Sequence, residues 1–166
     1  KNSAFRADWE KANSILIVCG QFSPDKKLKE TIQRLSSDSR VVVVAEPISN
    51  VHEVATISNP EVTLNSKIDY PENTIPELVI YIGGQVVSKK IKIFLRGLQN
   101  SKVYRVSTDE QIIDTFQNVN AFIQAEPQSI LSRLNVKTAK SVSSFKNFWI
   151  NENRNAELLS GKYMDK

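Results

Sequence analysis

The stretch Ser14-Ile15-Leu16-Ile17-Val18-Cys19-Gly20 is apolar without a break until it meets a glycine. A run of that length with no polar alternation suits a strand buried on both faces, as in a parallel sheet. Two more runs have the same form. Val41-Val42-Val43-Val44-Ala45 stops at Glu46-Pro47, and Leu78-Val79-Ile80-Tyr81-Ile82 stops at Gly83-Gly84. Between them the apolar period changes from strand to helix. Ser23-Pro24 reads as an N-cap followed by Pro at the first helical position. Leu28, Ile32 and Leu35 then recur at helical spacing, with lysines and Glu30 outside. Ser88 reads as a cap for a helix carrying Ile91, Phe94, Leu95 and Leu98.

Working outward, Lys102–Val106 predicts a shorter strand and Val119–Ala125 a last one nearer an edge. Pro127 opens a helix with Ile130, Leu131 and Leu134. Phe5 and Trp9, four apart, place one aromatic edge on a lead-in turn or helix. Residues 50–75 are the least legible, and one short helix and a weak strand are expected there. Strands alternating with helices predict a three-layer, Rossmann-like α/β domain. Its central sheet is mostly parallel, with about five to six strands and helices on both faces. Residues 1–140 are assigned to this domain. Residues 141–166, with Phe145, Phe148, Trp149 and Ile150 clustered, are assigned to a helical segment connecting to a further domain.

The chain has 166 residues, enough for one domain. It is 40% apolar and 24% charged, which excludes a fibrous or wholly disordered chain. Twenty-two basic against eighteen acidic residues give +4, too mild and too dispersed for a nucleic-acid partner. No apolar run approaches the roughly 20 residues of a membrane span. One cysteine, Cys19, excludes an internal disulfide, and one histidine, His52, excludes a His-rich metal centre. The chain begins Lys1-Asn2-Ser3 without an initiator Met, and is expected to be a piece of a longer polypeptide.

In an open α/β sheet, ligands sit outside the carboxyl ends of the strands. The candidate cleft is therefore Gly20, Gln21 and Ser23 after the first strand, Ser49 and Asn50 after the second, and Gly83, Gly84, Ser88, Lys89 and Lys90 after the third. Glycines let a ligand approach backbone, helix N-termini offer N–H groups to an anion, and the lysines add charge. Turn glycines and caps are the commoner explanation of each loop taken alone. The Gly-x-Gly-x-x-Gly fingerprint fails after both strands and no P-loop is present, which disfavours NAD, FAD and ATP. Cys19 reads as a buried, inert thiol. His52 reads as solvated, and Glu46 and Asp114 as solvated or capping carboxylates. No residue cluster has metal-ligand spacing. No catalytic constellation emerges, and no catalytic, cofactor-binding or metal residue is assigned.

Three motifs taken together carry a resemblance: Ile17-Val18-Cys19-Gly20-Gln21-Phe22-Ser23, Val43-Val44-Ala45-Glu46-Pro47-Ile48-Ser49-Asn50, and Pro76–Lys90 ending Gly83-Gly84-Gln85-Val86-Val87-Ser88-Lys89-Lys90. In order and spacing they resemble the central domain of the SEPHCHC synthases. These are thiamine-diphosphate-dependent transferases of bacterial menaquinone biosynthesis. The resemblance covers about Trp9 to Leu134. It departs where Ser107-Thr108 intervene before Asp109, at a strand end that is acidic in the family. It implies a cytoplasmic homodimer or homotetramer with flanking N- and C-terminal domains that bind thiamine diphosphate and Mg2+ (or Mn2+). The activating glutamate and the Gly-Asp-Gly…Asn-Asn motif belong to those flanking domains. The implied reaction decarboxylates 2-oxoglutarate and adds the resulting carbanion equivalent to isochorismate, with the cofactor carrying the chemistry. The chain itself is then an inactive structural domain without cofactor. Two other readings stand beside it: a regulatory module for an acidic metabolite, and a free-standing nucleotide-binding Rossmann domain.

Overall fold

The computed structural model describes residues 2–64, 70–109, 114 and 116–164. Five strands form one sheet among them: β1 (Ile15–Cys19), β2 (Val41–Ala45), β3 (Leu78–Ile82), β4 (Lys102–Ser107) and β5 (Ala121–Gln124). The order is β2-β1-β3-β4-β5, and every pairing is parallel. The register is fixed by the apolar runs themselves: Ile15 pairs with both Val41 and Leu78, and Cys19 with Ala45 and Ile82. β1 to β3 are buried along their whole length, as their unbroken apolarity requires.

The helices are α1 (Asn2–Lys11), α2 (Lys26–Ser36), α3 (Pro60–Thr63), α4 (Lys89–Arg96), α5 (Pro127–Leu131) and α6 (Ser144–Met164). Strand pleating divides the core in two. Ile15, Ile17 and Cys19 face Phe5 and Trp9 of α1, Leu28, Ile32 and Leu35 of α2, and Leu131 of α5. Leu16 and Val18 face Ile91, Phe94 and Leu95 of α4 and Phe145 and Trp149 of α6. The three-layer, Rossmann-like architecture is therefore present, with five strands. The illegible stretch holds 3-10 turns at His52–Val54 and Glu72–Thr74, the single turn of α3, and one parallel bridge from Val44 to Ile57. The short helix and weak strand expected there correspond to α3 and that bridge; residues 65–69 lie outside the described set.

One helix start needs correcting. Ser23 does not cap α2. Asp25 does, its carboxylate accepting from Leu28 N at 3.1 Å, so the helix begins at Lys26. Pro24 is spent in the loop rather than the first turn. Ser88 caps α4 as read, its Oγ accepting from Ile91 N at 3.1 Å.

At the amino ends of the strands, the turn from α2 to β2 ties the layers together. Arg40 grips Asp38 through two guanidinium nitrogens, at 3.0 and 2.8 Å, and donates to the carbonyls of Trp9 and Ala12. Asp38 also accepts from Lys137 N at 2.8 Å. Lys146 of α6 donates to the Ser36 and Asp38 carbonyls. Burial lowers its ammonium's pKa, opposed by the nearby Asp38 charge.

Candidate functional site

With strand order 2-1-3-4-5, the sheet reverses its direction of winding between β1 and β3, where doubly wound folds open their ligand crevice. Here the loops after those strands close on each other. Gly20 N donates to Ile82 O at 2.9 Å, Gln21 N to Gln85 O at 3.0 Å, and Gly84 N to Gln21 O at 2.8 Å. The approach is too close for side chains. A Cβ on Gly20 would stand 2.3 Å from Gly84 O. Gly83 adopts a φ of +84°, and its Cβ would meet the Phe22 ring at 2.5 Å. Both glycines are thus required by the contact of two loops more than sixty residues apart.

The loop after β2 locks the third. Glu46 is buried, and its carboxylate accepts from Val87 N at 2.8 Å and Ser88 N at 2.5 Å. These N–H groups begin α4, where a helix would otherwise attract an anion. A second carboxylate, Glu61 of α3, lies beside the Ser88 side chain and accepts from Lys90 N at 3.4 Å. The Ser88 hydroxyl and the Lys90 and Lys89 amides hold Glu61 below the ordinary carboxylate range. Glu46 is therefore a cap, one of its two sequence readings. Asp114 is the same kind of residue, accepting from Asn118 N and Val119 N. Ser49 is buried in a local turn, donating to Glu46 O at 2.6 Å. Asn50 has a left-handed φ of 56° and donates to Phe22 O at 2.6 Å.

Beside the locked loops lies an open cleft of about 700 Å³. Of the residues named from the sequence, Gln21, Ser23, Gly83 and Gly84 line it. Gly20, Ser49, Asn50, Ser88, Lys89 and Lys90 do not belong to its wall. The remaining wall comes from Ser107 to Asp109 after β4, from Glu126 to Gln128 after β5, and from the start of α2. Sequence reasoning passed over the ends of β4 and β5. The signal was present, since every strand end of a parallel sheet reaches the same edge.

Of the charged groups nearby, Asp109 and Arg105 are mutually engaged. Asp109 accepts from the Ser107 hydroxyl at 2.7 Å and pairs with Arg105 at 3.4 Å. The buried Arg105 guanidinium lies 4.1 Å over the Tyr81 ring. Burial raises the Tyr81 phenol, against the opposing charge of Arg105. Burial alone pushes the Cys19 thiol far up, which makes it unreactive. Among the described residues, no group of three or more His, Cys, Asp or Glu side chains is placed to hold a metal ion. Among the same residues, no helix is long and apolar enough to cross a membrane. The arrangement offers hydrogen bonding and shape, and pairs no nucleophile with a base.

Fold and site together define a doubly wound α/β domain whose phosphate position at α4 is filled by its own carboxylate. Within that class, the similarity runs to one enzyme. The chain is 27% identical over 157 residues to the 2-succinyl-5-enolpyruvyl-6-hydroxy-3-cyclohexene-1-carboxylate synthase of Desulfotalea psychrophila, covering 91% of this chain and 29% of that protein. It is 32% identical over 120 residues to the synthase of the same name from Flavobacterium psychrophilum, covering 72% of this chain and 22% of that protein. With the Porphyromonas gingivalis synthase it shares 26% identity over 161 residues, covering 92% and 28%. The resemblance to the SEPHCHC synthases is thus shown, and the chain spans less than a third of these relatives' length. No family model matches the chain.

Proposed function

We propose that this chain is the central, structural domain of a SEPHCHC synthase. The observation that carries this reading is the pattern of coverage. About nine-tenths of the chain aligns with relatives of which it makes up under a third. The parent enzyme decarboxylates 2-oxoglutarate and adds the resulting carbanion equivalent to isochorismate, in the cytoplasm, as a homodimer or homotetramer. Thiamine diphosphate and Mg2+ (or Mn2+) supply that chemistry from the flanking domains. This chain's own residues do not fit a diphosphate. At its carboxyl edge the starts of the two longer helices, α2 and α4, are taken by Asp25 and Glu46, and a second negative group would be repelled there. The domain's contribution is to space and orient its neighbours.

The test compares the intact polypeptide with residues 1–166 alone. Both receive thiamine diphosphate, Mg2+, 2-oxoglutarate and isochorismate, and substrate consumption is followed. The intact protein turns over and the 166-residue chain does not. An intact protein that leaves both substrates untouched overturns the assignment.

A second reading is a regulatory site for an acidic metabolite in the 700 Å³ cleft, where Gln21, Ser23, Gly83 and Gly84 converge and where Lys26 and Lys27 would have to outweigh Asp25, Asp109 and Glu126 on the same wall. A ligand that binds only the folded state raises the melting temperature by mass action. Small mono- and dicarboxylates at millimolar concentration should then stabilise the intact protein, and a flat response removes this reading.

A further inference from the structure

The exposed large hydrophobics among the described residues are Ile48, Val87, Ile93, Val142, Leu158 and Leu159. Scattered apolar residues need no explanation, but their placement here is uneven. Ile48 follows β2 and Val87 precedes α4, so both lie at the carboxyl edge of the sheet. Glu46 fixes them together, since it follows β2 directly and its carboxylate holds Val87 N.

Helix α6 brings the two leucines to the same edge. It starts at the opposite one, where Lys146 is bonded to the turn before β2. Asn153 then meets Thr63 of α3 at 3.0 Å, and α3 in turn abuts the start of α4 through Glu61 and Lys90. From Asn153 the helix continues to Met164, about 16 Å further at 1.5 Å per residue. Ala156 is the last buried residue described, whereas Leu158 and Leu159 are 62% and 58% exposed.

The charges around this edge are lopsided. Three of its carboxylates are engaged internally, Asp25 on α2, Glu46 on α4, and Asp109 on Ser107 and Arg105, whereas the exposed Glu126 makes no side-chain bond to the start of α5. Lys27 and Lys89 have no ion-pair partner among the described residues. The edge presents apolar side chains beside Lys27 and Lys89, two ammonium groups against the exposed carboxylate of Glu126, the pattern of an interface centre with a polar rim.

We propose that the carboxyl edge, with Val87, Leu158 and Leu159 at its apolar centre, is the docking surface for another folded domain of the same polypeptide, one presenting an apolar patch with an acidic rim. This rests on the reading of the chain as part of a longer synthase. More than two-thirds of each relative lies outside the matched segment, which supplies the occupant. The charge asymmetry states its chemistry, and interfaces between domains of one chain commonly cover about 600–1,500 Å².

Carbene footprinting of the intact polypeptide tests this, with Ile93 and Val142 as references because they are exposed away from that edge. Val87 is 66% exposed in this chain against 54% for Ile93, so an uncovered edge labels Val87 at least as strongly. Docking predicts about ten-fold less labelling at Val87, Leu158 and Leu159 than at the references, as in a desolvated interface centre. Substituting Val87→Glu together with Leu158→Glu should restore labelling at Leu159. Equal labelling of edge and reference positions overturns the proposal, as does protection that appears only after a small carboxylate is added. Turnover of 2-oxoglutarate and isochorismate is measured on the same sample. An active enzyme with a labelled edge refutes the docking surface alone, whereas an inactive one refutes the synthase reading itself.

Discussion

Asp38 shows how one residue carries the joint between layers. It is fully buried, yet it accepts from Arg40 N, from Arg40 Nε and Nη2, and from Lys137 N. Burial raises a carboxyl's pKa, but here the hydrogen bonds and the Arg40 charge together outweigh it and hold Asp38 below its ordinary value. A depressed folded value stabilises the protein above the unfolded value near 3.9, and that stability is lost as pH falls through the folded one. Asp38→Asn puts an amide NH2 against Arg40 Nη2 and Lys137 N or against Arg40 N and Nε, donor against donor, and leaves Arg40 buried without its counter-charge. We expect a loss of about 3–5 kcal/mol at pH 7 in urea unfolding. The gap between wild type and variant should narrow below about pH 4, where the wild-type carboxyl also begins to protonate. A gap of constant size down to pH 2.5 would show that the charge of Asp38 is not what stabilises the turn.

Among elements, the strands were legible and the contacts between loops were not. Ile15–Cys19, Val41–Ala45 and Leu78–Ile82 declare themselves because burial on both faces leaves no room for polar alternation. Ser88 was readable as a cap because the bond is local, three residues along. Ser23 misled because Ser-Pro is a good helix opening in isolation, and Asp25, two residues later, competes as a cap. Gly20 looked like a turn glycine; its actual constraint, the Gly84 carbonyl, lies 64 residues away and leaves no trace in local sequence. The link from Glu46 to α4 is equally long-range, and it gives the clearest prediction at this scale. Glu46→Ala strips the acceptor from two N–H groups at the helix start, at a cost of about 1–3 kcal/mol. Hydrogen exchange at Val87 and Ser88 should accelerate about ten-fold or more, while amides of β1 and β3 change only by the global loss. Unchanged exchange at those two amides would mean that the loop is held by the Gly20–Gly84 contact alone. Six of the ten named cleft residues stayed off its wall for a related reason: loops at one sheet edge spend their polar groups on each other before any ligand arrives.

For the whole molecule the question is what α6 belongs to. Its sequence reads as a connector, rich in Asn, Ser and Lys, and its far end stands clear of the core. Its first half is nevertheless a layer of the domain. Phe145 and Trp149 are each 2% exposed, and Trp149 Nε1 donates to Thr74 O at 3.1 Å. The Trp149 ring packs against Tyr70 and Phe94, covering the face of the sheet formed by Leu16, Val18 and Val44. If α6 were only a tether, ending the chain at Lys140 would leave a stable domain. The packing predicts otherwise. Losing one buried Trp typically costs about 3–5 kcal/mol, which rivals the total stability of a small domain. The truncated chain should keep its far-ultraviolet helix and strand signal, lose near-ultraviolet aromatic structure, and bind the dye ANS through the uncovered α4 face. The milder Trp149→Ala should unfold cooperatively at lower urea, because Phe145, Lys146 and Asn153 still dock the helix. A truncation that melts like the full chain would assign α6 to the neighbouring domain. Loss of tertiary order would make α6 a structural member at its first half and a lever at its second, coupling the orientation of a docked neighbour directly to the core.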